Sequence, residues 1–120
     1  MAEHNITGRW GEQTAAEYLE RKGFRIIWKD WRCGHRDIDI VAIDADHLVF
    51  VEVKTRSRDN IISPEQAVDA RKIHNLTLAA NSFIKSHDYD MPARFDIVAI
   101  TGSPRGRYEI NHIEDAFQPF

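Results

Sequence analysis

A single cysteine, Cys33, stands in 120 residues, so no internal disulfide can staple the chain, and a reducing, cytoplasmic setting is expected. Residues 1–20 lack the basic-then-apolar order of a secretory leader. No apolar run approaches the roughly 18 residues of a membrane span, so no membrane partner is expected. Internal repeats, low-complexity tracts and linkers are also missing. One domain over 1–120 is the expectation, because this length buries a core without disulfides or a structural metal. A surplus of positive charge is absent too: 16 Lys and Arg face 19 Asp and Glu, for a formal charge of −3. That argues against a generally basic nucleic-acid binder. The objection weakens if carboxylates gather at a cation site, since one divalent ion would move the charge to about −1. The six histidines show no His-x-His or His-x₃-His spacing, so they read as surface or partly buried imidazoles and not as zinc ligands.

What is present describes an ordinary soluble α/β protein, with 42% hydrophobic and 29% charged residues. Apolar spacing predicts a first helix from about Thr7, as N-cap, to Arg21, stopped by Gly23. Its inner face carries Glu12, Ala15, Ala16 and Leu19, so Glu12 shares the apolar stripe. Phe24 to Trp28, Asp37 to Ile43 and Leu48 to Lys54 read as strands, the last two joined by an Asp44-to-His47 turn. Ser63-Pro64 is expected to open a long helix reaching Ser86, with Ile73, Leu76, Ala80, Phe83 and Ile84 buried. Arg94 to Ile100 and Tyr108 to His112 complete the order αβββαββ, a mixed sheet flanked by helices.

The hairpin carries the chemistry. With the turn centred between Ala45 and Asp46, Ile43 faces Leu48, Val41 faces Phe50 and Asp39 faces Glu52. A slip of one residue would mix the two faces. The period of two places Lys54 beside Glu52 and Asp37 beside Asp39. Two facing carboxylates repel, and burying them unpaired is costly. Either Lys54 compensates as a structural ion pair, or a hard divalent cation does so with Lys54 beside it.

Asp39 followed by Glu52-Val53-Lys54 resembles the PD-(D/E)xK nuclease signature. Longer stretches resemble the YraN-like family of bacterial proteins: Gly11-Glu12 with Ala15-Ala16 and Tyr18-Leu19, Asp37 to Ala42, and Leu48 to Arg56. Pro64-Glu65, Ala67-Val68 and Lys72, then Arg94 to Ile100, and His112-Ile113 with Ala116-Phe117, match as well. That family is similar to archaeal Holliday-junction resolvases, which implies a restriction-endonuclease-like domain. The resemblance implies Asp39 and Glu52 as metal ligands, Lys54 as the catalytic lysine and Glu12 as an additional acid. Where the family has Gly-Glu before its Ile-Asp, this chain has Arg36-Asp37, which leaves Asp37 as a supporting acid at most.

The implied reaction is hydrolysis of a phosphodiester in DNA, branched DNA included, with Mg²⁺ or Mn²⁺ held by Asp39, Glu52 and Glu12 and the Val53 carbonyl completing the shell. Arg56, Arg58, Arg71 and Lys72 are candidate contacts to the phosphate backbone, each weighed against a solvated surface charge. Gln66, at the start of the second helix, is a supporting candidate. A two-fold junction as substrate would call for a homodimer. Trp31 is a candidate base-stacking residue set against a core role, and Asp96 reads as a buried acid accepting backbone or arginine hydrogen bonds. Two other classes stay open: a DNA-binding module that cleaves nothing, and a protein-interaction scaffold in which Asp39, Glu52 and Lys54 form an ion-pair network. A glycosidase is the weaker enzyme alternative.

Overall fold

Alternation of apolar residues every second position produces the strands, and the 3.6-residue stripe produces the helices. In a computed structural model describing residues 2–59, 63 and 68–118, with side chains from Gly8 onward, the elements run α1 Ala2–Arg21, β1 Arg25–Cys33, β2 Arg36–Asp44, β3 His47–Arg56, α2 Ala70–His87, β4 Ala93–Gly102 and β5 Tyr108–Ile113. This is the expected order αβββαββ. One five-stranded mixed sheet has the spatial order β1-β2-β3-β4-β5. Only β3 and β4 are parallel, and α2 lies between them in sequence because parallel neighbours need a crossover.

The sheet separates two cores. On one face α1 packs Ala15, Ala16 and Leu19 against Ile40, Ala42, Val49, Val51, Val98 and Ile100. On the other, α2 packs Leu76, Ala79, Ala80 and Phe83 against Ile38, Val41, Leu48, Phe50 and Phe95. The central strands β3 and β4 are therefore covered on both faces and read as nearly continuous apolar runs. Among the described residues no helix is long and apolar enough to cross a membrane.

Both helix starts differ from expectation. Thr7 is not an N-cap, since α1 already runs from Ala2. A single helix opening at Ser63-Pro64 is excluded, because Asp69 is extended (φ −82°, ψ 176°) and its side chain caps α2 by accepting from the Lys72 N–H. Pro64 and Gln66 lie outside the described residues. The end of α1 is as expected: Gly23 takes φ +99°, and the Phe24 N–H donates back to the Leu19 carbonyl at 2.9 Å, closing the helix over an apolar contact. Trp31 lies on β1, which extends past Trp28, and its ring meets Phe83 edge-on at 5.3 Å in the α2-side core. The stacking role is thereby replaced by a packing one.

The β2–β3 turn holds Ala45 at φ +54°. A Cβ in the left-handed region costs about 1–2 kcal/mol. Ala45→Gly is therefore expected to raise stability by about 1 kcal/mol less the entropy of the added freedom, read as a higher urea midpoint with an unchanged slope. An unchanged or lower midpoint would show that the turn bears no strain.

Candidate active site

The hairpin register is as expected from Asp44↔His47 to Ile40↔Val51, and there the paired ladder ends. Asp39 and Glu52 do not continue it as a directly opposed pair. Instead, the Val53 N–H donates to Asp39 Oδ2 at 2.8 Å. The cause lies on the other side of β2. Between Lys29↔Ile40 and Trp31↔Ile38 the ladder omits Asp30 and Asp39, and Asp30 is left-handed at φ +53°. Such irregularities twist a strand and re-aim its side chains. Ile38 consequently joins the α2-side core and Ile40 the α1-side core, although strict alternation would put them on one face.

Asp39 is thereby turned into a cleft of about 460 Å³ beside α1, lined also by Gly8, Arg9, Glu12, Asp30, Arg32, Asp37, Val53 and Thr55. Glu12, Asp37, Asp39 and Val53, all singled out from sequence, meet here. Arg9, Asp30 and Arg32 were not anticipated. The only local signal was the charged Lys29-Asp30 pair interrupting a β-rich run. Arg32 donates to Asp30 through Nε at 3.4 Å and a terminal nitrogen at 3.2 Å.

Four carboxylates in one cleft raise one another's proton affinity. Burial, followed by the charge of Glu52, pushes Asp39 up to about 8 against the pull of the Val53 N–H; Glu12 and Asp37 add to the rise. Glu12 is raised by its own burial and by Asp30, with a hydrogen bond to Asp39 pulling the other way.

Glu52 and Lys54 point toward the α2 side, the parity they share with Leu48 and Phe50. The Glu52 side chain is 5% exposed, and its Oε2 lies 3.4 Å from Lys54 Nζ and 3.6 Å from Lys72 Nζ. Lys72, expected at the phosphate backbone, is thus placed on the acid of the signature. The Arg56 Nε donates to Thr101 Oγ1 at 3.2 Å. Arg58 is exposed and pairs with Glu109 at 3.5 Å. Arg71 is exposed in the first turn of α2.

Asp96 belongs to a separate structural network. It is fully buried and accepts two bonds from Arg94 at 2.9 Å, one from His112 Nε2 at 2.8 Å and one from the Asp115 N–H at 3.0 Å. Arg94 also reaches Asp44 at 3.0 Å. This is the buried, hydrogen-bonded acid expected from the sequence.

Among the described residues, no group of three His, Cys, Asp or Glu side chains is placed to hold a metal ion. The chemistry of the donors still suits a hard cation, because clustered carboxylates hold Asp39 well above its ordinary range. Mg²⁺ is commonly held by only one or two carboxylates, with waters and substrate phosphates filling the shell.

Close packing of α1 on β3 holds Glu12 at the cleft. A Cβ on Gly11 would overlap Thr55 Oγ1. Gly11→Ala is expected to cost about 1–2 kcal/mol, overpacking outweighing the better helix propensity of alanine, and Thr55→Ala should restore most of it. Equal stability of Gly11→Ala and the parent in urea would refute the close approach.

The sequence profile described as "Uncharacterised protein family UPF0102" matches residues 11–100. A UPF0102 protein of Bacteroides thetaiotaomicron is 46% identical over 119 residues, covering 99% of this chain and 98% of that protein. Another from Parabacteroides distasonis is 44% identical over 117 residues, covering 98% and 96%. A third, from Flavobacterium psychrophilum, is 42% identical over 120 residues and spans both chains completely. The chain belongs to this family, whose description names no activity.

Proposed function

We propose that this UPF0102 protein is a metal-dependent endonuclease that hydrolyses phosphodiester bonds in DNA, built on a restriction-endonuclease-like domain. One observation carries the reading: at the point where β2 and β3 part, Asp39 is buried beside Glu12 and close enough to Glu52 for its charge to be felt, with Lys54 on Glu52. A purely structural cluster would gain nothing from stacking acids until one is driven to about 8. Asp39 and Glu52 would hold Mg²⁺ or Mn²⁺, with Glu12 and the Val53 carbonyl completing the protein's share. When bound, the ion would acidify a water and polarise the phosphate.

Lys54 would orient the attacking water and offset charge in the transition state, and Asp37 would support Asp39 from the same cleft. Arg56, Arg58 and Arg71 would meet the DNA backbone, giving binding a steep salt dependence. Branched DNA is the preferred candidate substrate, and a two-fold junction would require a homodimer. A hydrodynamic mass of one chain on such a substrate would contradict that part.

The ion pairs on Glu52 favour a second reading, in which Asp39, Glu52 and Lys54 only stabilise an interaction scaffold. End-labelled linear, flapped, forked and four-way-junction DNA, incubated with Mg²⁺, Mn²⁺ or EDTA, separates the two. Metal-dependent cuts support the nuclease. Tight, salt-sensitive binding without cuts would reduce it to a binding module, and neither cutting nor binding leaves the scaffold.

A further inference from the structure

We infer that Lys72, at the start of α2, is a second substrate-facing ammonium of this site, held by Glu52 until a cation takes that carboxylate and then released to a phosphodiester oxygen. The inference rests on the nuclease reading and adds to it a residue and an order of events. Lys54 and Lys72 lie 3.4 and 3.6 Å from one and the same oxygen of Glu52. A structural ion pair needs one ammonium, so the second is a surplus positive charge beside a nearly buried acid. Both lysine side chains keep about a third of their surface open, 34% and 35%, so either ammonium can reach a ligand arriving from solvent.

The two lysines are anchored differently. Lys54 is carried by β3, in the middle of the sheet. Lys72 comes from the opposite layer, and its root is fixed: its N–H donates to Asp69 Oδ1 at 2.9 Å, while Leu76, Ala80 and Phe83 seat α2 on the sheet. Its four-carbon stem can therefore swing from a pinned backbone. A cation on Glu52 would sit a few ångströms from both ammoniums and repel them. The phosphodiester brought to that cation supplies the anion that receives the displaced charge.

Cation and Lys72 thus compete for one carboxylate, and removing the ammonium should move metal binding and turnover in opposite directions. The test uses full-length wild type, Lys72→Gln and Lys72→Arg. Mn²⁺ binding is followed by the paramagnetic resonance of the free ion, cleavage is measured at saturating Mn²⁺, and thermal melting is recorded for each protein. Lys72→Gln should bind Mn²⁺ several-fold more tightly and lose roughly tenfold or more in kcat. KM should change less, the melting temperature should shift by only a few degrees, and Lys72→Arg should recover part of kcat. Cleavage by Lys72→Gln within twofold of an active wild type would overturn the inference and leave the nuclease reading standing. So would weaker Mn²⁺ binding falling in step with stability. A wild type that neither binds Mn²⁺ nor cuts would overturn both.

Discussion

Asp39→Asn should abolish metal-dependent DNA cleavage to about one part in a thousand while making the metal-free protein more stable at pH 8. The first half follows from the proposed role: losing the anionic ligand removes the charge that holds the ion, and a thousandfold corresponds to about 4 kcal/mol of barrier. The second half follows from linkage. Asp39 is pushed up to about 8 in the folded protein by burial and then by the charge of Glu52, whereas an unfolded Asp titrates near about 4. Between those values the folded state binds more protons than the unfolded state, so stability falls as pH rises through that window.

Asparagine does not titrate, keeps an oxygen for the Val53 N–H, and escapes that loss. Allowing for solvent screening of a half-buried group, the gain at pH 8 is expected to be about 2 kcal/mol, or several degrees in Tm. It should shrink toward zero near pH 4. Saturating Mn²⁺ should reverse the ranking, since only the parent gains about 2.7 kcal/mol at a hundredfold excess over Kd. Melting curves from pH 4 to 8.5, with EDTA and with Mn²⁺, test this. If Asp39→Asn is equally or less stable at every pH in EDTA, the acids are adequately compensated and the case for a cation site is lost.

Asp96→Ala is expected to cost about 3–5 kcal/mol, a large part of the stability of a domain this size. The substitution strands an arginine that is 13% exposed and an imidazole that is 2% exposed, both of which spend hydrogen bonds on this carboxylate. Burial opposes ionisation of Asp96, but the bonds from His112, Arg94 and the Asp115 N–H overcome it and hold the carboxyl below its ordinary range. A depressed carboxylate contributes stability that is complete above its unfolded pKa and is lost as pH falls through the folded one. The parent should therefore weaken progressively in acid below about pH 4, and the milder Asp96→Asn variant should lose most of that dependence. Urea titrations at pH 7 and pH 3 read both effects. Because this network is structural, cleavage per folded molecule should change little. A collapse of kcat with stability intact would move Asp96 into the active site.

The contrast between these two acids shows how far the sequence reaches. Asp96 alternates with apolar neighbours in a single strand, and its burial with hydrogen-bonding partners could be read from that pattern alone. Asp39 sits in an equally regular pattern, yet its partner was misjudged. Regular pairing would have put Glu52 directly opposite. A left-handed Asp30 on the neighbouring strand breaks the ladder at that residue, and nothing within β2 records it. The start of α2 was misplaced for a similar reason: Pro64 is a strong local signal, and it outweighed a capping aspartate six positions later in the sequence-based reading.

The sequence by itself determined the order αβββαββ, the hairpin register from Asp44 to Ile40, and the α1 face carrying Ala15, Ala16 and Leu19 with Glu12. These depend on periods of 2 and 3.6 and on short turns, all contained within about ten residues of chain. Only the tertiary structure decided that Asp30 and Arg32 enter the Asp39 cleft, that Trp31 packs on Phe83, and that Lys72 shares Glu52 with Lys54. Those meetings join elements that the chain separates but the sheet brings side by side. They are set by where a ladder breaks and how helices seat on opposite faces, and no local periodicity encodes either.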